Sequence, residues 1–218
     1  VWRGCEPPPK IANHVFLTFN PAERMHVSYN TVINGIDYGP LAALIGTWEG
    51  DKGVDTAPEP NGEINEPYFE TIKFEAGGDL TNAKEQRLVI VPYLQVVSRK
   101  STGKVFHHQV GYWNWDPKTG VIMQSMTIPR GFAMLAGGKY PLQGRYEGAL
   151  TFEVKAALGD ADWGIVQSPF MRDKAKTTAF SHKLTVNGDT LVYTESTMLN
   201  IYGKTFDHTD VNNLKRLK

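Results

Sequence analysis

Cysteine is nearly absent from this 218-residue chain: Cys5 stands alone. No disulfide can form within the chain, the fold does not depend on one, and a reducing cytoplasm is the default compartment. Neither sign of charge is in excess. The 23 Lys and Arg residues match the 23 Asp and Glu residues, which leaves no global field to gather nucleic acid or anionic lipid. Long hydrophobic runs are missing too. Leu88 to Val97 is the longest of note, and it contains Pro92 and is too short to span a bilayer. No glycine-rich loop joins a strand to a helix, so the common nucleotide motifs are excluded. There is no Gly-x-Ser-x-Gly elbow and no Cys-x-x-Cys-His motif, which excludes a serine nucleophile of that type and covalently attached haem.

What is present reads as strands. In Leu44-Ile-Gly-Thr-Trp-Glu-Gly-Asp-Lys-Gly53, Trp48 is large enough to plug one end of a small barrel, and Gly46 and Gly50 let the backbone bend where strands approach. Leu41, Leu44 and Ile45 are spaced for one amphipathic turn leading into that strand. Upstream, residues 1–39 form an N-terminal extension that wraps or caps the barrel, broken by Pro7 to Pro9, Pro21 and Asn34-Gly35. Val1 to Pro9 reads as neither signal peptide nor folded element. Residues 40–218 form the barrel domain.

Asp51 to Pro67 is polar and rich in Pro and Gly, and is expected to be a long loop serving as lid or portal. Tyr68 to Glu75 alternates, with Tyr68, Glu70, Ile72 and Phe74 on one face. Leu88 to Arg99 is a second long strand whose Pro92 predicts an edge or a bulge. Val105 to Trp115 follows, then the tight turn Asp116-Pro-Lys-Thr-Gly120 and the strand Val121 to Pro129. Phe132 to Leu135 is a short segment closed by Gly137-Gly138. Tyr146 to Ala157 alternates. Lys176 to Val186 and Thr190 to Tyr202 are joined by Asn187-Gly188-Asp189, a type I′ signature, and Lys204 to Lys218 closes the chain. The expectation is an all-β, up-and-down antiparallel barrel of about ten strands, of the lipocalin or fatty-acid-binding-protein kind, with room for one small ligand.

Histidine is the residue type left to carry chemistry. Phe106-His107-His108 lies within a strand, so one imidazole faces inward and the other outward. His14 and His26 read as surface or packing residues, and His182, beside Lys183, as a surface residue. No spacing predicts a zinc site. A single inward imidazole in an apolar barrel suits haem iron, which needs one strong axial nitrogen and a large apolar slot.

Pro40-Leu-Ala-Ala-Leu-Ile-Gly-Thr-Trp-Glu-Gly50 followed by Tyr68-x-Glu-x-Ile-x-Phe74 resembles the nitrobindin family, ferric haem proteins on a fatty-acid-binding-protein-like barrel. Phe106-His107-x-x-x-Gly111-Tyr112, Val121-Ile-Met-Gln124-Ser125 and the segment from His208 through Leu214-Lys-Arg-Leu217 resemble further family strands in the same order. The resemblance covers residues 40–218. It implies haem b, with His208 as the proximal iron ligand and Phe106, His107 and Gln124 on the cavity wall. Thr197 and Met198 fall where the family has a cavity-lining Met, and Met198 is the assignment taken. The chain departs from the pattern at Lys52, where a Gly is expected and Gly53 comes one place later, and in the segments Asp51 to Pro67, Met126 to Gly138 and Gly159 to Met171.

On this resemblance, the protein holds ferric haem b and binds nitric oxide or related nitrogen species, with isomerisation of peroxynitrite to nitrate as the implied activity. The competing reading is a metal-free carrier of a fatty acid or other small hydrophobic ligand. Lys104, Arg130, Lys139 and Arg145 are the candidates to meet haem propionates, and Asp207 and Asp210 are the carboxylates near His208 in sequence. Partners are haem and a small gaseous or nitrogen-oxide ligand, with no nucleic acid or membrane. The sequence leaves the oligomeric state open, a homodimer included.

Overall fold

The computed structural model describes residues 27–142 and 146–218. A small hairpin of β1 (Val32–Ile33) and β2 (Ile36–Asp37) precedes a 3-10 helix, Gly39–Ala43. Then come β3 (Gly46–Glu59), β4 (Gly62–Phe74), β5 (Asp79–Asn82), β6 (Gln86–Arg99) and β7 (Val105–Trp115). β8 (Val121–Ile128), β9 (Phe132–Lys139), β10 (Leu150–Ala157) and β11 (Ile165–Gln167) follow. A short helix α1 (Pro169–Lys174) leads to β12 (Ala175–Asn187), β13 (Thr190–Ile201) and β14 (Lys204–Arg216). Ten strands close into an antiparallel barrel in the order β3, β4, β6, β7, β8, β9, β10, β12, β13, β14 and back to β3. Closure leaves the wall without a free edge. No helix among the described residues is long and apolar enough to cross a membrane.

One end of the barrel is plugged. Tyr38, Leu41 and Leu44, on and beside the 3-10 helix, are fully buried with Trp48. The indole N–H of Trp48 donates to the Leu44 carbonyl at 2.7 Å, and the Arg216 guanidinium lies 4.1 Å above the indole ring. Arg216 also donates to the carbonyls of Ala43 and Ile45, so the last strand ties down the plug. Gly39 is required here. Its φ is +52°, and a Cβ would sit 2.2 Å from the Trp115 ring.

Several local expectations are corrected. Asp51 to Pro67 is not a loop but the body of the β3–β4 hairpin, paired from Gly46↔Phe74 out to Glu59↔Gly62. Gly137-Gly138 is not a turn; it lies in β9 at the closing seam with β10, where a Cβ on Gly138 would be 2.0 Å from the Glu153 carbonyl oxygen. Pro92 sits at neither an edge nor a bulge. β4 and β5 lie end to end along β6, and Pro92 faces the gap between them, where its missing N–H breaks no ladder bond. The β12–β13 hairpin places Gly188 and Asp189 at its two central positions, with positive φ at Gly188 alone, which is the type II′ pattern.

Candidate functional site

The end opposite the plug is the mouth, where the β3–β4, β6–β7, β8–β9 and β13–β14 turns gather. Two bulges decide which side chains face inward there. In β3, Gly50 pairs with Glu70 and Gly53 with Tyr68, so one extra residue is inserted between them. Before the bulge Trp48 faces in; after it, Gly53 and Asp55 do. In β7, Val97 pairs with His107 and Ser98 with Val105, which leaves Phe106 as the extra residue. Phe106 packs edge-on against the buried Tyr68, ring centroids 6.4 Å apart, while the next residue, His107, also points inward and His108 is exposed.

His208 lies on the inner face of β14, opposite Thr197 of β13. Its Nε2 is 2.5 Å from Oδ1 of the buried Asp55 and 3.8 Å from an Asp210 oxygen. No hydrogen bond engages its Nδ1 among the described residues. The register aligns Asp55, Asp210 and Glu195 side by side on three adjacent strands. Such a row of like charges is unfavourable, and it perturbs Asp210, Glu195 and the neighbouring His208. Burial, then the charge of Asp55, raises the Asp210 carboxyl to about 7. Burial and the Asp210 charge raise Glu195 to about 8. Burial alone would lower His208, but its hydrogen bond to Asp55 and the charges of Asp55, Asp210 and Glu195 outweigh it and raise the imidazole. Asp55, His208 and Asp210 each bring one ligand atom within 4.8 Å of the others.

Below the mouth, polar groups bridge the lumen. The Tyr93 hydroxyl donates to the Ser125 carbonyl and accepts from Gln109 Nε2 (2.7 Å) and Gln124 Nε2 (3.1 Å). That fixes both amides. Gln109 Oε1 then accepts from His107 Nε2–H at 3.0 Å, and Gln124 Oε1 accepts from His182 Nδ1–H at 2.9 Å. Burial lowers both imidazoles, His182 to about 4. A second cluster surrounds the fully buried Glu70, which accepts from Gln95 (2.6 Å), Asn212 (2.5 Å) and the Tyr193 hydroxyl (3.0 Å). Trp113 touches both Phe152 and His182, so rings from β7, β10 and β12 meet across the lumen.

The residues singled out from sequence divide accordingly. Phe106, His107 and His208 are at the mouth, and Gln124 is buried one layer below. Met198 is not in this group. It shares the outer face of β13 with Ser196, lining a shallow groove with Ala157, Trp163 and Ala179, while uninterrupted alternation turns Thr197 inward. His182 is not on the surface; it is buried at the barrel centre. Of the basic candidates, Arg130 reaches the Phe106 carbonyl at the mouth (2.9 Å), and Lys104 lies just before β7. Lys139 pairs with Val121 at the plugged end. Arg145, Cys5, His14 and His26 lie outside the described residues. Sequence reasoning missed Arg99, whose guanidinium stacks 4.7 Å from the Phe106 ring, and it missed Asp55.

The mouth fits a haem in its donor set. A ring nitrogen of His208 is held by a carboxylate and the other has no partner among the described residues, the arrangement of a metal-ligating imidazole. Phe106 supplies aromatic surface, Arg130 supplies positive charge at the rim, and Arg99 lies beside Phe106 in an ion pair with Glu66 at 3.3 Å.

Comparisons with known proteins bear on the fold and the family. The chain resembles the crystal structure of Rv2717c from M. tuberculosis with a TM-score of 0.60 at 21% identity, over 82% of this chain and 95% of that one; at that identity the likeness concerns the fold. No curated protein gives a significant match. A family profile described as "THAP4-like, heme-binding beta-barrel domain" matches residues 37–216. The chain belongs to this THAP4-like, heme-binding beta-barrel family.

Proposed function

We propose that the barrel holds one haem b at its mouth with His208 as the axial ligand, mainly as ferric iron, and that it handles nitric oxide or related reactive nitrogen species. The observation that carries this reading is the inner-facing His208, held by Asp55 through one nitrogen and with no hydrogen bond at the other among the described residues. When bound, the haem supplies an iron centre that takes nitrogen-oxide ligands, with isomerisation of peroxynitrite to nitrate as the reaction class. The chain's own part is to bind and tune. Asp55, hydrogen-bonded to His208, supplies the carboxylate next to the ligand, and nearby negative charge favours the more positive ferric state. Arg130 and Arg99, the latter ion-paired with Glu66 at 3.3 Å, are the basic side chains at the rim that would meet propionates. His107 spends its Nε2–H on Gln109 and so offers no hydrogen bond from that atom to a ligand. The carrier reading gains no support, because Trp113, Phe152 and His182 meet across the lumen that an acyl chain would occupy.

Titration with hemin tests this. Wild-type protein should show a Soret band saturating at about one haem per chain. His208→Ala should weaken retention far more than His107→Ala or the exposed control His108→Ala. Equal loss in all three would remove His208 as the ligand. A ferric Soret band that nitric oxide leaves unshifted would refute the nitrogen-oxide part.

A further inference from the structure

We propose that Asp55 is a positioning residue for His208: its carboxylate takes the Nε2–H, fixes the ring, and presents Nδ1 as the lone-pair donor to iron. The proposal rests on the reading of His208 as the haem ligand and adds to it a residue from the other end of the chain. The geometry is specific. Asp55 is 8% exposed and its Oδ1 lies 2.5 Å from Nε2, a short, charge-assisted contact. Asp210, at 3.8 Å from the same nitrogen, is outside hydrogen-bonding range. Of the two carboxylates beside the ring, Asp55 therefore sets the tautomer, and Asp210 acts through space only. The carboxylate is also supplied on purpose by the fold, since only the extra residue between Gly50 and Gly53 turns Asp55 inward. A carboxylate acceptor draws the proton toward itself and makes the opposite nitrogen a stronger donor, which favours ferric over ferrous iron.

The test uses Asp55→Asn, which keeps the shape and weakens the acceptor, with Asp55→Glu to restore a carboxylate and Asp210→Asn as the through-space control. Loss of an outer partner of this kind typically costs 10–100-fold in metal affinity. Asp55→Asn should therefore lose ferric haem about tenfold or more faster in transfer to an apo-globin acceptor. If ferrous affinity is unchanged, a tenfold loss reads as a rise of about 59 mV in the midpoint potential. The iron–histidine stretching frequency should fall in Asp55→Asn, hold in Asp210→Asn, and recover in Asp55→Glu. Independently of haem, nitrogen-15 NMR of the haem-free wild type, taken at a pH high enough for His208 to be neutral, should show it protonated at Nε2 with a lone pair at Nδ1. A neutral His208 protonated at Nδ1 instead, or Asp55→Asn with wild-type haem retention and stretching frequency, would overturn the proposal. If His208→Ala retains haem like the wild type, it is the ligand assignment that fails, and the two failures are distinguishable.

Discussion

Replacing Glu70 with Gln should change how stability depends on pH far more than it changes the structure. Glu70 is a fully buried carboxyl on the inner face of β4, held by Gln95, Tyr193 and Asn212. Those hydrogen bonds favour the ionised form, but burial outweighs them and raises the group from 4.5 to about 7. The folded value lies above the unfolded one. The contribution to stability is therefore fully present below pH 4.5 and is lost as pH rises through 7. A rise of that size amounts to about 3 kcal/mol. Gln keeps the shape and cannot ionise, so its own contribution stays flat. His182 pulls the other way: buried and neutral, with its value lowered to about 4, it removes stability as pH falls from 6.5. Taking the difference between wild type and Glu70→Gln cancels this term, because His182 is present in both. Urea unfolding of the haem-free proteins at intervals from pH 4.5 to 8 measures that difference, given unchanged m-values. Wild type should lose about 3 kcal/mol relative to the variant across the range, concentrated between pH 5 and 7. Parallel stability curves would show that Glu70 is not the buried, proton-binding group described here.

Two further outcomes follow from close contacts. Gly111→Ala would place a Cβ 1.9 Å from the Ser125 carbonyl oxygen; since that backbone is held in the β7–β8 ladder, it should cost about 3 kcal/mol or more, and an unchanged Tm would refute the β7–β8 approach. His107→Leu should leave nitric oxide affinity nearly unchanged, because the imidazole is committed to Gln109; a stable oxy complex in the wild type that disappears in the variant would refute that assignment.

Alternation and turn chemistry made most of the barrel legible. Asp116 Oδ1 accepts from the N–H groups of Lys118 and Thr119, and Gly120 follows at φ +72°, as the turn residues require. The β3–β4 hairpin escaped because its prolines look like loop punctuation. Pro67, however, lies just past the end of the β4–β6 ladder, which begins at Tyr68↔Arg99, so its missing N–H breaks no bond between those strands. Composition alone cannot reveal where a neighbouring ladder stops.

Resemblance to a family singled out His208 and His107, both of which face inward at the mouth, whereas period-two counting gave only that one of His107 and His108 faces in. His182 was misread for a reason that counting corrects: a charged neighbour in a strand marks the opposite face. Lys183 points out to an ion pair with Glu153 at 2.8 Å, so His182 must point in. Asp55 is harder. Counted by twos from the buried Trp48, position 55 falls on the outer face, and only the residue inserted between Gly50 and Gly53 reverses that parity. A bulge leaves the composition of a strand unchanged while exchanging its faces beyond the insertion. The partner it supplies to His208 lies 153 residues away in the chain. No local pattern links two such positions; barrel closure, which sets β14 beside β3, brings them together.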